Sequence, residues 1–194
     1  MYNFILNNIA KHIQLSSAES ELFTSLLTHK ILKRKEFLFK EGEIVKSQTF
    51  VVKGCLRTYS LNDNGKEHVI MFSPEDWWCG DLYSFLSGKK SSFYADALTS
   101  TEIFQISKEN IEILYKKIPG FERFFRMLFQ NAFIIQQNRI NANLSLNAEQ
   151  RYKQFLKTYP ALESQVAQKY IASYIGITPE FYSEMKARMQ PKKS

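Results

Sequence analysis

The sequence predicts an α+β chain: an antiparallel β barrel or sandwich with helices in front of it, followed by an all-helical second half. Three observations carry this. Short runs rich in Val, Ile, Phe, Tyr and Thr recur from Ile31 to Ile106 with no helical pattern between them. From Ser107 onward the apolar spacing is that of helices. The charge divides at the same place: residues 1–106 hold 12 Lys/Arg against 12 Asp/Glu, and residues 107–194 hold 14 against 7, so the whole formal charge of +7 lies in the second half. A neutral front and a basic back describe two modules, the second facing a polyanion.

The first thirty residues read as helix. Ser16-x-x-Glu19 is a capping-box pattern, and Leu22, Phe23, Leu26 and Leu27 follow at helical spacing. The strand runs are then broken at Glu41-Gly42-Glu43, Asn62-Asp63-Asn64-Gly65 and Ser87-Gly88. Asn64-Gly65 between TYSL and KEHVIMF predicts a hairpin, because both residues tolerate positive φ.

Ser107 is an N-cap candidate for KENIEILYKKI, and Pro119-Gly120 ends that helix. A long helix over Phe121 to Leu144 contains no Pro or Gly. Its Phe121, Phe125, Leu128, Ala132, Ile135, Arg139 and Ala142 step by four and three, the cadence of a coiled-coil seam. Phe124, Phe129, Phe133, Ile134 and Ile140 add apolar surface on other faces, so the helix is expected to pack on its own barrel and on a second copy, making a homodimer. AEQRYKQFLKTYP is a shorter helix stopped near Pro160. The expected divisions are 1–118, 119–144 and 145–194.

Among 194 residues no apolar run has the ~18 residues a membrane span needs, and MYNFILNNIAKHIQL has no small-residue cleavage site, so neither membrane nor export is expected. Cys55 and Cys79 make neither a disulfide framework nor a CxxC metal clip, which suits a reducing, cytoplasmic setting. No metal site and no catalytic residues are expected: a metal-dependent enzyme on this kind of barrel needs clustered His and carboxylates, and the three histidines are scattered.

The most informative stretch is QKYIASYIGITPEFYSEMKARM, residues 168–189. Ile171, Ala172, Ile175, Gly176, Ile177, Tyr182 and Met185 fill the positions a helix-turn-helix needs: a small residue at the helix crossing, Gly in the turn, and an apolar core. Thr178 is an N-cap candidate, with Pro179 at the first helical position. The second helix would enter the major groove of double-stranded DNA. Thr178, Pro179, Glu180, Ser183, Glu184 and Ala187 point away from the core toward the bases, where Glu accepts from the cytosine amino group. Lys169, Tyr170, Lys186, Arg188, Lys192 and Lys193 are placed to meet phosphates.

A barrel, a long helix and a C-terminal helix-turn-helix, in that order, resemble the Crp/Fnr family of bacterial transcription regulators. The likeness covers nearly the whole chain and rests on FLFKEGEIVKSQTF through TEIFQISKENIEIL, on RYKQFLKTYP and on the helix-turn-helix. The resemblance implies a jelly-roll (double-stranded β-helix) related to cyclic-nucleotide-binding domains and dimerisation through the long helix. Its implied partners are double-stranded DNA and RNA polymerase. Family sensors of cyclic AMP use a Gly-Glu-Leu opening and an Arg-Ser pair. Here Gly80-Asp81-Leu82 resembles the opening, with the shorter Asp, and the pair reads Ser91-Ser92. Lys89 and Lys90 lie nearby, but a Lys does not reproduce a bidentate guanidinium. Gly80, Asp81, Leu82, Lys89, Lys90, Ser91 and Ser92 are therefore the candidate effector pocket, with no cofactor assigned and a cyclic nucleotide disfavoured. The family's iron-sulfur branch needs an N-terminal cysteine cluster, and no Cys precedes Cys55. Only five residues follow Met189, so no β-hairpin wing is expected there.

The leading reading is thus a dimeric, sequence-specific DNA-binding regulator. The alternative is a ligand- or protein-binding jelly-roll whose DNA recognition has weakened, since Glu180 and Glu184 both oppose phosphate.

Overall fold

The apolar runs become eight strands: β1 (Thr28–Leu32), β2 (Phe37–Phe39), β3 (Ser47–Lys53), β4 (Cys55–Leu61), β5 (Glu67–Pro74), β6 (Trp78–Cys79), β7 (Tyr94–Ala97) and β8 (Thr101–Ser107). They form two four-stranded sheets, ordered β1-β8-β3-β6 and β2-β7-β4-β5, the crossed connectivity of a jelly-roll. The structure, a computed structural model, describes residues 1–189. The expected phosphate-facing Lys192 and Lys193 lie outside the described residues. The chain divides into two units, one of residues 1–58 and 72–133, the other of 59–71 and the residues from 134 onward.

In the first unit, period-two alternation sorts β3 and β8 into two cores. Phe50, Phe104 and Ile106 face a helical layer built from α1 (Asn3–Ala10), α2 (Ser17–Ser25), α4 (Lys108–Lys117) and the start of α5 (Gly120–Ser145). Val51 and Ile103 point the other way, meeting Leu56 and Ala97 of the opposite sheet. Antiparallel register Phe50↔Phe104 and Thr49↔Gln105 keeps both sets aligned. Ser16 and Glu19 form the reciprocal box, and Ser107 accepts the Asn110 amide at 3.1 Å, as their spacing predicts. The short α3 (Leu82–Ser87) lies between β6 and β7.

The long helix starts inside this core. Phe121 and Phe125 are fully buried against Phe23 and Tyr115 of their own unit, and Trp78 meets Phe124 and Phe125 edge-on. This corrects the expected seam. A side chain at 0% exposure has no area left for a partner, so Phe121 and Phe125 are core residues. Leu128 packs on the same cluster, and Ala142 is buried within the second unit. Ala132 and Ile135 are half-buried. The exposed apolar residues of α5 are instead Phe133, Ile134, Ile140 and Leu144, the last 83% exposed.

In the second unit the β4–β5 hairpin is closed by Asn62. Its Oδ1 accepts the amides of Asn64 and Lys66, and its carbonyl accepts Gly65. Of Asn64 and Gly65, only Gly65 takes positive φ (+72°), so the turn expected to place Asn64 there as well is replaced by an Asn-capped loop. Helix α6 (Ala148–Thr158) opens with a capping box between Asn147 and Gln150, then a single 3₁₀ turn (Leu162–Ser164) leads to α7 (Gln168–Ile175) and α8 (Pro179–Met189). The hairpin belongs to this unit through Ser173 of α7, whose hydroxyl accepts the Val69 amide at 3.0 Å and donates to the Glu67 carbonyl at 2.8 Å. Arg139 of α5 donates to the carbonyls of Val69, Ile70 and Tyr174. Its place is therefore fixed within its own chain.

Candidate nucleic-acid interface

Residues 168–189 fold as two helices about a tight turn. Gly176 ends α7 in the left-handed region (φ +76°), which costs Gly least, and the Ile177 amide reaches back to the Ala172 carbonyl at 3.0 Å. Thr178 Oγ1 accepts the Phe181 amide at 3.2 Å, capping α8, and Pro179 fills the first helical position without losing a hydrogen bond. Ile171, Ala172, Ile175, Tyr182 and Met185 are buried together with Tyr152, Phe155 and Leu162 of the preceding helix and turn. Every core position named from the pattern is buried, except Ile177, which is half-buried.

One carboxylate holds the base of this small core. Glu163 Oε1 accepts from Tyr152 Oη at 2.5 Å, Tyr182 Oη at 3.0 Å and Lys186 Nζ at 2.6 Å. Burial disfavours its charge, but Lys186 and the two phenols outweigh that, and the Glu163 carboxyl sits below its ordinary value. Burial together with the bond to Glu163 pushes the Tyr152 phenol up to about 12. No local pattern announces Glu163, because its partners lie 11, 19 and 23 residues away. Lys186, expected at a phosphate, is half-buried and held in this pair, so it is a structural cation first.

The opposite face of α8 is open. Thr178, Pro179, Glu180, Ser183, Glu184, Ala187 and Arg188 are exposed, and so is Phe181, which the helix-turn-helix pattern does not single out. Arg188 lies 5.6 Å from the Phe181 ring centre, and Ser183 donates back to the Pro179 carbonyl. Glu180 is held below its ordinary value by its own amide and the Thr178 hydroxyl, so it is firmly anionic. Lys169 is exposed, with its ammonium 4.9 Å above the half-buried Tyr170 ring. This face mixes two acids, one guanidinium and an aromatic, the chemistry of base-edge contact more than of phosphate neutralisation.

The candidate effector residues do not converge. Asp81 caps α3, its Oδ1 accepting the Tyr83 and Ser84 amides, while its Oδ2 is buried without a partner. Ser91 is buried and its hydroxyl is engaged by the Phe93 backbone. Leu82 is half-buried, and Lys89, Lys90 and Ser92 are exposed. A cavity of about 120 Å³ bounded by Phe39, Val45, Thr49 and Gln105 is reached only by Gly80 of that set. It is well short of the ~300 Å³ lower bound for pockets that hold drug-sized ligands. A guanidinium does stand in the barrel: Arg57 makes a buried bidentate pair with Asp96, Nε to Oδ1 at 2.7 Å and Nη2 to Oδ2 at 3.0 Å. Its charge is already matched. Among the described residues no group of three or more His, Cys, Asp or Glu is placed to hold a metal, and no helix is long and apolar enough to cross a membrane.

Comparison with known proteins agrees with this architecture. The family model described as a cyclic nucleotide-binding domain matches residues 29–117. The fumarate and nitrate reduction regulatory protein of Vibrio cholerae is 25% identical over 174 residues, covering 83% of this chain and 68% of that protein. The transcriptional activator protein Anr of Pseudomonas aeruginosa is 27% identical over 173 residues, covering 82% and 69%. The structure of FixK2 from Bradyrhizobium japonicum superposes with a TM-score of 0.73 at 17% identity, covering 84% of each chain. Over most of its length the chain is thus similar to bacterial transcription regulators of this kind, and it shares their fold.

Proposed function

We propose that the chain is a DNA-binding transcription regulator of the Crp/Fnr type, acting in the cytoplasm as a homodimer with α8 in the major groove of double-stranded DNA. The observation that supports this most directly is the two-sided α8: Tyr182 and Met185 close the core while Glu180, Phe181, Ser183, Glu184 and Ala187 are exposed on the other face. Residues 1–118 serve as the sensor part, 119–144 as the dimerisation helix and 145–194 as the DNA-binding part. RNA polymerase is the further partner such a regulator engages.

The dimer reading moves to a new stripe. Phe133, Ile140 and Leu144, with Gln137 between them, step by four, three and four, and Ile134 flanks them. A heptad seam is self-complementary, so a second copy is the natural occupant. No effector is assigned, and no catalytic role.

A second reading, a jelly-roll module with weakened DNA recognition, draws support from the Lys186–Glu163 pair. It removes one cation from a face that already carries two exposed acids. Selection from random duplexes with the full chain separates the two. A two-fold motif with half-sites roughly 34 Å apart is expected for the regulator, and no enrichment for the module.

A further inference from the structure

We propose that the open cleft lined by α5, α6 and α7, within the second unit, is a binding site for a small oxyanion of the phosphate class. The site goes beyond the DNA-binding reading.

The cavity holds about 100 Å³. That exceeds the ~10–15 Å³ one water needs and is too small for a nucleotide-sized ligand. Two arginines line it, Arg139 from α5 and Arg151 from α6. Asn138, Gln154, Thr158 and Tyr174 add amide and hydroxyl groups, and no Asp or Glu is among the lining residues. Among the described residues, the hydrogen bonds of both guanidiniums go to neutral carbonyls. Arg139 uses those of Val69, Ile70 and Tyr174, and Arg151 donates to Ile175 at 2.7 Å and Leu146 at 2.7 Å. These bonds aim the two charges without neutralising them. Arg139 Nε is buried with no hydrogen-bond partner, and the Tyr174 ring lies 4.3 Å from the guanidinium carbon. Burial pulls the Arg139 guanidinium below its ordinary value, and the nearby phenols of Tyr174 and Tyr159 offset this only in part. A tetrahedral or planar oxyanion accepts from several donors at once and supplies what the lining lacks.

Its position gives the anion leverage. Arg151 holds the Ile175 carbonyl, the residue before the Gly176 turn, so an anion that draws Arg151 inward acts on the link between α7 and α8.

The test uses the full chain without DNA, so its outcome stands apart from the regulator reading. Thermal unfolding is followed while sodium phosphate is titrated against sodium chloride at matched ionic strength. A saturable rise specific to phosphate is expected, roughly 5–10 °C at a hundredfold excess over Kd. Arg151→Gln should abolish it. Gln154→Glu, which places a carboxylate in the cavity and keeps both arginines, should abolish it without lowering the midpoint in chloride. Equal responses to phosphate and chloride, or a full phosphate response in Gln154→Glu, would overturn the proposal.

Discussion

Ser173 and Val69, 104 positions apart, share a 3.0 Å hydrogen bond in which one helix hydroxyl satisfies a strand amide. The same hydroxyl donates to the Glu67 carbonyl, so β5 is tied to the first helix of the helix-turn-helix by a single side chain. Val69 is buried, so Ser173→Ala leaves its amide without a partner. We expect a loss of about 1–3 kcal/mol in urea unfolding. An effect under about 0.5 kcal/mol would place Ser173 with ordinary surface residues.

Glu163 makes stability depend on acid. Its folded value lies below the ordinary 4.5, so its contribution is complete above pH 4.5 and is lost as the pH falls through the folded value. Glu163→Gln should be less stable than wild type at pH 7, with a difference that shrinks below pH 4.5. Parallel curves from pH 7 to pH 3 would show that the carboxylate charge is not what holds Tyr152, Tyr182 and Lys186 together.

The two thiols should be inert. Burial pushes Cys55 up to about 12 and raises Cys79 as well, so almost no thiolate exists at neutral pH. Alkylation of the native chain at pH 7.5 should proceed only at the unfolding rate. Rapid labelling of either cysteine would mean that the sandwich opens locally.

Leu144 tests the dimer cleanly because it is 83% exposed. Leu144→Asp disturbs little within its own chain, so any change in mass reports the partner. Sedimentation should show dimer for wild type and monomer for the variant, with the melting of the barrel core unchanged. A monomeric wild type would leave the exposed stripe without its proposed occupant.

The strands, the caps at Ser16 and Ser107, and the helix-turn-helix were legible in the sequence because each rests on local periodicity or a turn residue. Which face of α5 turns inward was not. Phe121–Phe125 and Phe133–Ile140–Leu144 both keep a three-four cadence, and only the aromatic cluster around Trp78 and Phe23 decides which one is core. The same limit applies to charge. Lys186 and Arg188 look equivalent in sequence, yet Glu163, 23 residues before Lys186, takes one of them. Arg139 has the spacing of a seam residue and proves to be a carbonyl clamp, since nothing local announces acceptors at Val69 and Ile70.

That difference between Lys186 and Arg188 makes the DNA prediction sharp. Arg188 is exposed near the end of α8, so Arg188→Gln should weaken binding to all duplexes alike. It should also flatten the dependence of log K on log salt by about one unit for each phosphate the side chain no longer meets. Lys186→Gln should act mainly on folding, by leaving Glu163 half-buried without its cation, and should change the salt slope much less. Glu180 separates the regulator from the decayed module. Anionic and exposed at the start of α8, it accepts from a cytosine amino group if the helix lies in the major groove. Glu180→Gln should then alter preference at one base pair in each half-site by about 1–3 kcal/mol, read by competition between duplexes differing at that pair. If Glu180 only faces solvent, its neutralisation should strengthen binding to every duplex equally by removing repulsion. A uniform gain in affinity would therefore place base reading elsewhere on α8, with Phe181 and Ser183 the next residues to vary.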